Sequence, residues 1–135
     1  MEKEQRKYLL KADISGIQNY IFDTTSKKAT QNLKARSFYV YVLTHIIEEY
    51  LKREFEVEEV IYNGGGNLLL CLKAEESAIF IKTRELRHNF LTRDIYTHFA
   101  WVLYEDENFK EKNRAVNQLL AKNKMSKTLD ILQLF

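Results

Sequence analysis

The stretch Val57-Glu58-Glu59-Val60-Ile61-Tyr62-Asn63-Gly64-Gly65-Gly66-Asn67-Leu68-Leu69-Leu70-Cys71-Leu72 decides the fold. Two β-rich runs, 57–62 and 67–72, flank an Asn/Gly cluster, which is the signal of a β-hairpin. Gly64, Gly65 and Gly66 are three of the chain's four glycines, the other is Gly16, and proline is absent. Backbone freedom is therefore concentrated at one tip.

Outward from the hairpin the pattern turns helical. From Leu33 to about Phe55 the spacing of Phe38, Tyr41, Val42, Ile46, Tyr50 and Leu51 predicts a helix of several turns with one broad buried face. The polar segment Asp23 to Gln31 reads as a loop. Tyr8 to Asp13 reads as a short buried strand ending in an acid, and Ser15 is placed to cap a helix carrying Ile17, Tyr20 and Ile21. On the other side, Glu75 to about Leu91 predicts a second helix with Ile79, Phe80, Thr83, Leu86 and Phe90 along one side. Tyr96 to Tyr104 predicts the final core strand. Asn108 to Phe135 is helical again, with Val116, Leu119, Leu120, Met125, Leu129, Ile131 and Leu132 as its apolar positions. Strand, helix, strand, strand, helix, strand, helix is an α+β order. It predicts a ferredoxin-like palm, an antiparallel sheet with helices packed on one face. The length, 135 residues, suits one domain over 1–135.

Composition narrows the function classes. With 45% hydrophobic and 30% charged residues the chain can bury a core, and a formal charge of +2 argues for neither nucleic acid nor membrane. Cys71 is the one cysteine, which excludes an internal disulfide and a Cys-based zinc cluster; it reads as a small buried hydrophobe. No stretch suits a signal peptide or a membrane span, so the cytoplasm is expected.

The palm topology brings three separated pieces together: the end of the first strand, the hairpin tip and the start of the first helix. Asp13 can offer one carboxylate to Mg²⁺, which prefers carboxylates, phosphate oxygens and water. The amides of Ser15, Gly16 and Ile17 at a helix start suit a phosphate. Gly64, Gly65, Gly66 and Asn67 let a nucleotide approach the backbone. Each also has a plainer reading: Asp13 as a cap, the glycines as a tight turn. Arg36 and Ser37, with Lys34, could touch phosphate or be solvated surface. Lys124 and Lys127, with Lys122, could reach a triphosphate tail or form an ordinary charged helix face. His45, His88 and His98 are dispersed and read as structural.

Asp13-Ile14-Ser15-Gly16-Ile17-Gln18-Asn19-Tyr20-Ile21-Phe22 is similar to the D-I-S-G-I-Q-x-F-I-F opening of the palm domains in the large subunit of type III CRISPR complexes. Lys34-Ala35-Arg36-Ser37-Phe38 resembles that family's ARSF helix start, Ile61 through Asn67 its YsGGG-N hairpin, and Lys124 through Phe135 its lysine-rich close. The resemblance implies a fold related to GGDEF and nucleotidyl cyclase domains. One palm of that family carries Gly-Gly-Asp-Asp and makes cyclic oligoadenylates from ATP; the other lacks those acids and holds a second ATP. Gly64-Gly65-Gly66-Asn67 matches the latter. On the resemblance the chain binds ATP, with Mg²⁺ as a further expectation at Asp13, and has no catalytic residue of its own. It forms the non-catalytic half of the site, facing a catalytic palm of the same subunit or a homologous chain. Other CRISPR complex subunits with guide RNA are its wider partners. The family's nuclease, zinc and helical domains are not in this sequence, which fits a fragment or a stand-alone palm.

Two other readings stand beside it. The missing acids suit a structural palm kept for its packing surface. RNA binding on an open sheet face would need exposed strand aromatics in a recognisable motif, and the strands beside the hairpin are rich in Leu and Val instead.

Overall fold

The computed structural model describes residues 4–15, 29–89 and 96–133. The chain forms β1 (Arg6–Ser15), α1 (Ala29–Glu54), β2 (Glu56–Gly64), β3 (Asn67–Ala74), α2 (Glu76–Asn89), β4 (Tyr96–Leu103) and α3 (Phe109–Gln133). The strands build one sheet in the order β2-β3-β1-β4 with every neighbouring pair antiparallel. The hairpin closes as the Asn/Gly cluster predicts. Gly65 and Gly66 take φ of +61° and +82°, the left-handed pair that a tight hairpin turn needs. The segment 29–31, read from sequence as loop, is the first turn of α1.

Alternation along β1 sorts the core. Tyr8, Leu10, Ala12 and Ile14 face one way, onto Val40, Leu43, Ile47 and Leu51 of α1 and Ile79 and Leu86 of α2. Leu9 faces the other way, with Leu69, Cys71 and Ala100, onto Val116 and Leu120 of α3. Helices therefore lie on both faces of the sheet, not on one. The cause is visible in Leu68–Leu72, all buried: a run apolar at consecutive positions must be covered twice. The same cover over β1 and β4 removes the open face that an RNA-binding sheet requires.

The buried face of α1 also differs from the expected one. Val40, Leu43, Thr44, Ile47 and Leu51 are buried, whereas Phe38, Tyr41 and Ile46 are 65%, 60% and 46% exposed. Both stripes have helical spacing, so periodicity alone cannot rank them. The slimmer aliphatic stripe is the one that lies against the sheet, with Tyr50 packed at its edge. In α2, Ile79, Thr83 and Leu86 are buried but Phe80 is exposed; in α3, Met125 is exposed. Among the described residues no helix is long and apolar enough to cross a membrane.

Candidate functional site

Asp13 stands two residues from the end of β1, between Asn67 of β3 and His98 of β4 in the cross-strand register. Alternation puts all three on the α3 face, since Leu9, Leu69 and Ala100 point there. A polar row, Asn67–Asp13–His98, thus crosses the sheet beyond the edge of an apolar core. Asp13 and His98 are only 8% and 6% exposed. The hairpin tip is tied to this row, because the Ile14 amide donates to the Gly66 carbonyl at 2.9 Å. The Asn67 side chain folds back to donate to the Gly65 carbonyl at 3.5 Å.

The third contributor is α3. Its Lys124 ammonium forms an ion pair with the Asp13 carboxylate. Nearby, Lys11 donates to the Asn117 side-chain oxygen at 2.5 Å, and Asn123 donates to the Phe99 carbonyl at 3.0 Å, which fixes this part of α3 on the sheet. Burial, followed by the neighbouring Lys11 charge, pushes the Lys124 ammonium below the ordinary lysine value. Its pairing with Asp13 works in the opposite direction. The Lys124 side chain keeps 38% exposure while that of Asp13 keeps 11%, so the ammonium is the part of the pair that solvent reaches.

Mg²⁺ would require oxygen ligands, normally one or two carboxylates with water and phosphate. The row offers one carboxylate, already charge-balanced by Lys124, beside an amide and an imidazole. Among the described residues no group of three or more His, Cys, Asp or Glu could hold a metal. This donor set does not fit a divalent cation. It fits an anion that approaches the exposed side of Lys124.

The structure thus brings together Asp13, Gly64, Gly65, Gly66, Asn67 and Lys124. Gly64 pairs with Asn67 at the base of the turn. Ser15 closes β1 opposite Tyr96, while its side chain, with Gly16 and Ile17, lies outside the described residues. Arg36 and Lys127 sit on α1 and α3 with side chains outside the described set; Ser37 is exposed on α1. Sequence reasoning set His98 aside as one of three scattered histidines and passed over Lys11 and Asn117. The signal was available in the alternation: Lys11 shares its face with Asp13, and His98 shares its face with Ala100.

A separate groove of about 540 Å³ runs along the outer side of α1, lined by Tyr41, Val42, His45, Ile46, Glu49, Tyr50 and Arg53. It holds none of the polar row. Its floor is linked to the hairpin through Asn63, whose amide donates to Glu48 at 3.1 Å and lies 3.3 Å from His45 Nδ1.

A family model described as Csm1 subunit domain B matches residues 6–133. The chain is 33% identical over 109 residues, 76% of its length, to the CRISPR system single-strand-specific deoxyribonuclease Cas10/Csm1 (subtype III-A) of Methanocaldococcus jannaschii. It is 27% identical over 144 residues, 92% of its length, to the protein of the same name from Streptococcus thermophilus. It spans only 14% and 19% of those two proteins. Among solved structures, a Csm1-Csm4 cassette in complex with cA4 superposes with a TM-score of 0.71 at 23% identity, over 89% of this chain and 19% of that one. Csm1 of T. onnurineus gives 0.69 at 24% identity, over 90% and 20%. A Csm1-Csm4 cassette in complex with one ATP gives 0.67 at 23% identity, over 92% and 19%. At these identities the likeness is one of fold.

Proposed function

The chain belongs to the family of Csm1 subunit domain B, a domain of the large subunit of type III CRISPR complexes, and from that premise we propose that it is an ATP-binding palm without catalytic acids. In this reading it is the non-catalytic half of a cyclic-oligoadenylate synthase site and serves antiviral defence beside a catalytic palm. The strand order β4-β1-β3-β2, with α1 and α2 on one face, supports the ferredoxin-like palm assignment. One observation carries the nucleotide reading. The end of β1, the glycine tip of the hairpin and a lysine of α3 converge on Asp13. The glycine turn keeps the backbone bare, and Lys124 offers ammonium donors to phosphate oxygens. Asn67 stands where a second acid would be needed for two-metal chemistry, so the domain alone makes no product.

The solved relatives that share the fold were obtained in complex with ATP, AMPPNP and cA4, which supports a nucleotide as the ligand class. Calorimetric titration with ATP tests this, first on the chain alone and then mixed with a subunit bearing a Gly-Gly-Asp-Asp palm. Binding in the millimolar range or tighter is expected for the chain alone, with a gain in affinity in the mixture. No binding in either would refute the proposal.

A second reading, a palm kept for its packing surface, is favoured by a different observation. Phe38, Tyr41 and Ile46 form an uncovered aromatic and aliphatic face on α1, and such patches on soluble domains mark interaction surfaces. Solved neighbours include Csm1 assembled with Csm4. Phe38→Ser with Tyr41→Ser would then weaken association with a partner palm or a neighbouring subunit while leaving ATP affinity unchanged.

A further inference from the structure

We infer that the outer face of α1 is an interface between two copies of this chain, whose α1 helices lie antiparallel about a two-fold axis beside Ile46. The inference rests on the packing-surface reading above and names the partner of that surface.

Each residue turns a helix by about 100°. That rotation sets Phe38, Val42, His45, Glu49 and Arg53 on the side of α1 opposite Val40, Leu43, Ile47 and Leu51, the stripe that packs on the sheet. Phe38 is 65% exposed, and its ring stacks on that of Tyr41 at 6.2 Å, so the apolar surface is continuous. The steps from Phe38 to Val42, His45 and Glu49 are four, three and four residues, the spacing of a coiled-coil seam. The groove beside it, bordered by Tyr41, Ile46 and Tyr50, is concave enough to take side chains of a facing helix.

The face is lopsided along its length, and this selects both the partner and the direction. Its first half carries the rings of Phe38 and Tyr41, and its second half carries the exposed charges of Glu49 and Arg53. A parallel pair would set Glu49 on Glu49 and Arg53 on Arg53, like charge against like. An antiparallel pair centred between His45 and Ile46 sets Arg53 of each copy over Phe38 of the other, a guanidinium on an aromatic face. Glu49 then meets Val42 and stands only about 1.5 Å along the axis from Tyr41, whose hydroxyl can donate to the carboxylate. Each copy thus supplies what the other lacks, as an isologous contact requires. The seam from Phe38 to Arg53 is about 22 Å long, which suits a small interface and a dissociation constant of tens of micromolar. Because α3 and the polar row lie on the other face of the sheet, pairing through α1 leaves the candidate nucleotide site open.

Sedimentation equilibrium over about 5–500 µM chain tests this, with circular dichroism as the control for folding. The mass is expected to rise with concentration from 16.1 kDa towards twice that value. Ile46→Glu, which sets two carboxylates face to face at the axis, should weaken the dimer by about tenfold or more. Cysteine cross-linking reads the direction, since the native Cys71 is buried. Phe38→Cys mixed with Arg53→Cys should link faster than either variant links to itself. A mass of 16.1 kDa throughout, indifference to Ile46→Glu, or fastest linking of Phe38→Cys to itself would overturn the inference. The packing-surface reading survives those results if Phe38→Ser with Tyr41→Ser still weakens association with another subunit, and falls with the inference if it does not.

Discussion

Ile46 and Ile47 are adjacent, identical in composition and differ in burial because a step of one residue turns about 100° around α1, which makes them a direct test of how that helix sits on the sheet. Ile47 is 1% exposed and packs in the core shared with Leu10, Leu43 and Leu70, whereas Ile46 is 46% exposed on the outer face. Truncating a buried isoleucine to alanine removes transfer energy and leaves a cavity, costing about 2–5 kcal/mol. The same change at an exposed position costs within about 0.5 kcal/mol. For a domain of this size each kcal/mol lowers the melting temperature by about 3.5 °C. Ile47→Ala should therefore melt roughly 7–17 °C below the parent, and Ile46→Ala within about 2 °C of it. Thermal unfolding followed by circular dichroism reads both. Equal shifts, or a larger one for Ile46→Ala, would mean that the Phe38–Tyr41–Ile46 stripe faces the sheet and is not available to a partner.

Two further predictions concern the hairpin. Gly66 holds φ at +82°, so Gly66→Ala should cost about 1–2 kcal/mol from the backbone, while Gly65→Asn should cost little because such turns accept asparagine first; urea denaturation separates the two. Burial acts to raise the Glu48 carboxyl, but the Asn63 amide and Lys52 outweigh it and hold the group below its ordinary value. A lowered folded value means that its contribution to stability is complete above the unfolded pKa, about 4.3, and fades as pH falls through the folded one. Asn63→Ala should raise the Glu48 pKa in an NMR titration; no movement would show that the hairpin does not hold this carboxylate.

The parts of the fold that were legible in the sequence are those written in local chemistry. The glycine cluster announced the hairpin because glycine takes both positive φ values without strain. Element order and the assignment of Cys71 to the core followed from period and polarity. Illegible were the choices between two equivalent solutions. α1 offers two apolar stripes, and only the sheet's shape selects Val40, Leu43, Ile47 and Leu51. The one-sided packing expected from topology failed because Leu68–Leu72 is apolar on both faces and draws α3 across to the second. At the candidate site, Asp13 and the glycine tip were named from sequence as sharing one location, and Lys124 was named among the lysines that could reach a phosphate. Its partner could not be named, since Asp13 and Lys124 are 111 positions apart in the chain and meet only when α3 packs on β1 and β4.

In the proposed function ATP is held where β1, the hairpin tip and α3 converge. Titrating the isotopically labelled chain with ATP and following its amide resonances tests this most directly. Shifts are expected to concentrate on Asp13, Ile14, Gly65, Gly66, Asn67, His98 and Lys124, the residues that share that end of the sheet. Shifts confined to the outer face of α1 around Tyr41 and Arg53, or none at millimolar ATP, would contradict it.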